Sequence, residues 1–240
     1  MTSIPPALRL LMGRTTSSEP ICELDNGLEP IGLAQAARSA VKRSMDLVGA
    51  LGALILLSPV LAIVALLIWL DSRGPILFRQ KRMGLQGRTF TCLKFRTMVS
   101  DAEARLAALE EQNESACKVL FKIKDDPRVT PLGRVLRRTS LDELPQFWNV
   151  LVGEMSLIGP RPLQLRDSAK LEAIEPEGFA RRLSVLPGLS GPWQVSGRSN
   201  LDGGQMLDLD LRYIENWSIA TDIDLILRTV AVVFSGRGAS

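Results

Sequence analysis

Asp142 and Glu143 are adjacent carboxylates in the stretch Ser-Leu-Asp-Glu, a few residues after the paired arginines Arg137 and Arg138. Two readings of that spacing stand side by side. In the first, Ser140 and Glu143 form a capping box and Asp142 complements a helix dipole. In the second, the acids do chemistry: a carboxylate can attack phosphorus directly, and a helix N-terminus beside arginines favours phosphate oxygens. Acids next to phosphate-binding arginines then call for a divalent cation, because carboxylate and phosphate otherwise repel.

Further candidates follow the same logic. Arg161 lies between Pro160 and Pro162, which stiffen the backbone that presents it; it is either a surface arginine in a rigid turn or a phosphate fork. Lys94 and Arg96 flank Phe95 as either a solvated basic strand at a membrane surface or substrate contacts. Trp193, Gln194 and Arg198 sit in the Gly/Pro/Ser-rich stretch 187–200, where they could meet a nucleotide base or phosphate.

Composition narrows the chemistry. The 240 residues contain no histidine, which removes imidazole-based triads and dyads. The three cysteines, Cys22, Cys92 and Cys117, are scattered and show neither metal-ligand spacing nor a disulfide framework. The net charge of +3 gives no argument for nucleic acid.

The elements that must position these residues begin at a membrane-like run. Residues 47–70 carry no charge. As a straight helix they would be roughly 36 Å long, against a hydrocarbon core of about 30 Å. Composition alone favours a single-pass anchor. Ser58-Pro59 at the middle predicts a break, with the Ser58 hydroxyl as a candidate partner for the freed carbonyl. Arg38, Lys42 and Arg43 before the run, and Arg73, Arg79, Lys81, Arg82 and Arg88 after it, place both flanks in the cytoplasm by the positive-inside rule. That favours a helix-break-helix entering and leaving on one face.

Three segments result: a poorly ordered lead-in over 1–36, the membrane element over 37–72, and a catalytic domain over 73–240. Within the last, the patterns predict a hairpin or extended segment over 76–98 and a helix from a capping box at Ser100 to about Glu111. A basic helix follows over 133–138, then one from Ser140 to Val152 stopped by Gly153. Residues 158–163 read as a proline-locked loop, an acid-rich helix runs to about Val185, and a final helix covers about 206–234. Its apolar end suits an interfacial or a core helix.

Several long motifs together resemble the bacterial sugar transferase family, the monotopic phosphoglycosyl transferases. They are Lys42-Arg43, Ser58-Pro59, GPILFRQKRMG from Gly74, KFRTM from Lys94, DPRVTPLGRVLRRTSLDELPQFWNVL from Asp126, MSLIGPRPL from Met155, PGLSGPWQVSGRS from Pro187 and YIENWSIATDIDLILRTV from Tyr213. The resemblance covers about residues 40–236.

It implies an α+β, mainly helical fold: a re-entrant membrane helix bent at Ser58-Pro59, and a cytoplasmic helical domain around a small β element with interfacial amphipathic helices. The implied setting is the cytoplasmic face of a bacterial inner membrane. The implied reaction moves a sugar-1-phosphate from a UDP-sugar to polyprenyl (undecaprenyl) phosphate and releases UMP. Asp142 matches the family's nucleophile and Glu143 the second acid, which serves either, with Asp142, as a ligand of Mg²⁺ or in positioning and proton handling; Arg137 matches an arginine near the phosphates. Arg161 matches a nucleotide-sugar contact, with Lys94, Arg96, Gln194 and Arg198 as further substrate candidates. GPWQVSGRS points to an exopolysaccharide-type hexose enzyme. The sugar is not legible, and a homodimer is compatible with the sequence. The alternative is a catalytically inactive membrane-anchored scaffold of a polysaccharide assembly complex.

Overall fold

The computed structural model describes residues 33–71, 74–99, 101–105, 119, 123, 125–196 and 202–235. Residues 1–32 of the lead-in, most of the helix expected from Ser100 to Glu111, and Arg198 lie outside the described residues; residues 33–36, expected as poorly ordered, start a helix.

Helix α1 (Leu33–Leu56) and helix α2 (Ser58–Asp71) meet at a 60° bend. Pro59 has no N–H to offer the Ile55 carbonyl. The Ser58 hydroxyl donates to that carbonyl at 2.8 Å, so the break leaves no orphaned acceptor. Among the described residues no single helix is long and apolar enough to cross a membrane; the bent pair passes that test only together.

Polar groups of α1 one helical turn apart fasten it to the rest of the chain. Lys42 donates to Asp222 at 2.6 Å and to the Ile158 carbonyl at 3.1 Å. Arg43 caps the end of a later helix by donating to the Val150 and Leu151 carbonyls at 2.7 and 2.9 Å. Asp46 is buried and accepts from the Leu157 N–H at 2.8 Å and the Ser156 hydroxyl at 3.0 Å. Lys42 and Arg43, read as membrane-flanking charge, are therefore taken up by internal contacts. Arg79, Lys81 and Arg88 remain exposed.

Strands β1 (Leu77–Met83) and β2 (Thr89–Phe95) form the expected antiparallel hairpin. Its alternation is clear in burial: Arg79 and Lys81 face out while Arg82 is buried. Helix α3 (Pro131–Arg138) is N-capped by Thr130, whose side chain accepts from the Gly133 N–H. Gly133 lies against the backbone of Thr97: an added Cβ would stand 2.0 Å from the Thr97 carbonyl oxygen. That closeness brings the end of the KFRTM segment to Arg137. Gly133→Ala is expected to destabilise the protein by about 1–3 kcal/mol in urea titration, since backbone cannot yield as a side chain can; unchanged stability would contradict this packing.

The Ser140 capping box does not form. Ser140 adopts a left-handed conformation (φ 57°) with no side-chain cap, and Leu141–Glu143 is a single 3-10 turn. Pro145 then starts helix α4 (Gln146–Val152), and Gly153 ends it at φ 87° as its type suggests. Asn149 on α4 is buried and acts as a strand edge for β2: it accepts from the Leu93 N–H at 3.0 Å and donates to the Thr91 carbonyl at 2.8 Å. Trp148, one of the helix's apolar members, is 55% exposed.

The stretches read as loops around residues 158 and 188 carry a second sheet. Strands β3 (Ser156–Ile158) and β4 (Gly188–Ser190) pair in parallel, joined by helices α5 (Leu165–Ile174) and α6 (Pro176–Arg182). A short helix α7 (Pro192–Val195) follows. The last expected helix is two, α8 (Gly203–Glu215) and α9 (Ile219–Ser235). Val119, Leu171, Phe179, Trp193 and Met206 pack the core of this half, and Val64, Ile68, Phe95 and Leu136 seat α2 on the hairpin. The result is α+β and mainly helical. One face of α1, α2 and α9 stays apolar and open, at Val48, Ile55, Leu66, Trp69, Leu227 and Val230 among others.

Candidate active site

Arg137 lies in the last turn of α3, and the left-handed Ser140 turns the chain back so that Asp142 and Glu143 line the same cavity as that arginine. A non-glycine residue in this conformation is strained, and such strain clusters at functional sites. Asp142, Glu143, Arg137, Lys94, Arg96, Arg161 and Gln194 all line one cavity of about 1740 Å³. Every described candidate from the sequence is thus brought together. Of the paired arginines only Arg137 faces the site; Arg138 is exposed.

The two acids are in different electrostatic states. Glu143 Oε1 accepts from Lys94 Nζ and from Arg161 Nη2, each at 2.7 Å. Burial works to raise its pKa, but the charges and hydrogen bonds of Arg161 and Lys94 outweigh it and hold Glu143 well below the usual range. Asp142 is 8% exposed and takes neither cation directly. Burial pushes its carboxyl up; Lys94 opposes the shift and the Glu143 charge adds to it. One acid is a fixed anion in a salt-bridge fork, and the other is a poorly solvated carboxylate whose charge is costly to keep. That is the pairing of environments that separates roles at a carboxylate dyad.

Arg137 donates from Nε to the Thr97 hydroxyl at 2.9 Å, and burial lowers its pKa against the pull of Asp142. The Arg161 guanidinium also sits 5.9 Å from the centroid of the buried Trp193 ring. Sequence reading missed Arg82, Asp126, Arg128 and Asp167, all buried and all lining the cavity. Arg82 shares a strand face with Gln80, and that period of two was the available signal. For Asp167, on α5, the sequence carried no comparable pattern.

Away from the acids the cavity becomes apolar, running between Val41, Met45 and Val48 of α1 and Ile226, Val230 and Val233 of α9. No group of three or more potential metal-ligating side chains occurs among the described residues. Asp142 and Glu143 offer carboxylate oxygens, the donor type that hard divalent cations take.

A buried aspartate beside a half-buried glutamate, guanidinium and ammonium groups around them and a large cleft lined by apolar helix faces suit an anionic ligand. Residues 37–236 match the bacterial sugar transferase profile, and the chain belongs to that family. It is 43% identical over 199 residues to the galactosyl transferase CpsE of Streptococcus agalactiae, covering 82% of this chain and 43% of that protein. It is 38% identical over 223 residues to the UDP-glucose:undecaprenyl-phosphate glucose-1-phosphate transferase of Escherichia coli, covering 89% of this chain and 45% of that one. With the exopolysaccharide production protein ExoY of Rhizobium meliloti it shares 36% identity over 219 residues, 88% of this chain and 93% of the relative. The chain thus spans about half the length of some curated relatives and nearly all of another.

Proposed function

We propose that this chain is a phosphoglycosyl transferase that moves a sugar-1-phosphate from a UDP-sugar to polyprenyl phosphate, releases UMP and starts assembly of an exopolysaccharide or related glycoconjugate. The observation that carries the reading is the dyad: Glu143 locked to Lys94 and Arg161, and Asp142 left as a buried carboxylate beside Arg137 in the same cavity. Asp142 attacks the phosphorus that bears the sugar. The P–O bond to the bridging oxygen breaks, that oxygen leaves on UMP, and an acyl-phosphate joins Asp142 to the sugar phosphate. An oxygen of the lipid phosphate then attacks the same phosphorus, the Asp142–phosphorus bond breaks, and the carboxylate is regenerated.

The basic groups have separable tasks. Arg161, supported by Trp193, and Arg137 bind and orient the diphosphate; Lys94 and Arg161 keep Glu143 ionised; Arg96, Gln194 and Arg198 are further substrate contacts. Asp142 and Glu143 would hold Mg²⁺ together with substrate oxygens, and the ion would supply neutralisation of diphosphate charge. Relatives' names contain both galactose and glucose, so the hexose is left open.

The setting we propose is the cytoplasmic face of a bacterial inner membrane, with α1 and α2 entering and leaving one leaflet and α9 lying at the interface. The open apolar face of these helices and the bend at Ser58-Pro59 support this. The apolar arm of the cavity between α1 and α9 gives the lipid acceptor a path to the dyad. Pro59→Ala restores a donor for the Ile55 carbonyl and is expected to straighten the pair. Single-cysteine labelling on either flank, in a chain cleared of its own cysteines, then shows part of the population with flanks on opposite sides. Labelling identical to the parent would remove Pro59 as the cause of the turn.

The reaction itself is tested by UMP release from purified protein in nanodiscs with Mg²⁺, polyprenyl phosphate and a panel of UDP-sugars. Release with one donor, lost on chelation, is the expected result; no release with any donor would count against the transferase reading.

A further inference from the structure

Around Arg161 the backbone is held carbonyl by carbonyl. The Pro160 carbonyl accepts from the Gly188 N–H at 2.8 Å, and the Leu163 carbonyl from the Met83 N–H at 3.1 Å. Between them, the Arg161 carbonyl accepts from Arg182 Nη2 and the Pro162 carbonyl from Arg82 Nη1. The two side-chain donors are arginines that are almost wholly buried, which is rare unless their charge is offset. Arg182 is offset: its Nε meets Asp210 Oδ2 at 2.8 Å, and the Asp210 side chain is 0% exposed. Neither Arg182 nor Asp210 lines the cavity. Pro160 and Pro162 fix their own φ angles, so few backbone torsions around Arg161 stay free.

We propose that Arg182, anchored by Asp210, is a positioning residue. With Arg82 it clamps the backbone of Arg161, so that the guanidinium is presented at a fixed place between Glu143 and Trp193 for an anionic donor. A buried ion pair stabilises little compared with apolar residues of the same size. A clamp gives this pair a task that apolar residues could not perform, because the guanidinium donates to Asp210 and to the Arg161 carbonyl together. The assignment of the donor to Arg161 rests on the function proposed above; the clamp itself does not.

The test uses the whole chain in nanodiscs and the double variant Arg182→Met/Asp210→Leu, which removes both charges and is expected to melt within a few degrees of the parent. Arg182→Lys, keeping the charge but replacing the planar fork with a compact ammonium, is the second variant. Hydrogen exchange at the amides of Gly159, Arg161 and Leu163, without ligand, is expected to speed up by about tenfold or more in the double variant and by less in Arg182→Lys. UDP-sugar KM is expected to rise about tenfold while polyprenyl phosphate KM stays unchanged. In an Arg161→Ala background the same pair of substitutions adds nothing, as two changes acting through one group are non-additive. Unchanged exchange in a folded double variant overturns the clamp, and so does an undiminished KM rise in the Arg161→Ala background. If the parent releases UMP from no donor, the transferase reading fails while the exchange comparison still decides the clamp.

Discussion

Asp142→Asn is expected to leave the fold intact and to lower UMP release by at least about 10³-fold, because the substitution keeps the shape of the side chain and removes the carboxylate proposed to attack phosphorus. A second signature accompanies the loss. Burial raises the Asp142 pKa in the folded protein, so its ionised form is disfavoured there relative to the unfolded chain. A group shifted upward contributes stability at low pH and loses it as pH rises through the folded value. The neutral amide has no such dependence. In metal-free buffer the Asn variant should therefore melt above the parent near neutrality, with the gap closing as pH falls. A variant equally active, or one less stable at neutral pH, would contradict the assignment of Asp142 as the poorly solvated, reactive member of the dyad.

Arg161→Ala removes one of the two cations on Glu143 and the group stacked on Trp193. A hydrogen bond to a charged group contributes about 1.5–3 kcal/mol, which corresponds to a fall of about 10- to 10²-fold in kcat/KM for the UDP-sugar. Arg161→Lys is expected to recover only part of it, since an ammonium lacks the planar fork of the guanidinium. Steady-state kinetics against both substrates separates this from general damage: the effect falls on the donor. Equal losses for donor and lipid acceptor would place Arg161 outside the donor site.

The parts of this fold that were legible in the sequence are those with a local physical cause. Ser58-Pro59 has to break a helix wherever it stands, and the structure shows both the bend and the hydroxyl that repairs the Ile55 carbonyl. The β1–β2 hairpin and the Gly153 stop follow from residue type and spacing. Ser-Leu-Asp-Glu was legible as important and misread in shape. The capping-box pattern is local, but Ser140 is forced left-handed by the return of the chain from α3, which no local pattern encodes. The β3–β4 pair was invisible because its three-residue strands lie on either side of α5 and α6 and read as glycine- and proline-rich loops. Lys42 and Arg43 were taken for membrane-surface charge, and only the fold shows that Asp222 and the end of α4 claim them. The site residues found by sequence were those in dense motifs; Arg82 and Asp167 are single charges whose burial depends on distant neighbours.

The central claim is that Asp142 carries the sugar phosphate covalently between two half-reactions. Intact-protein mass spectrometry, on chain incubated with the competent UDP-sugar and Mg²⁺ but no polyprenyl phosphate, tests it most directly. The expected result is one added glycosyl-phosphate on the peptide holding Asp142, absent in Asp142→Asn and discharged when polyprenyl phosphate is supplied. UMP release that requires the lipid acceptor from the outset, with no adduct at any time, would contradict it and point to direct transfer.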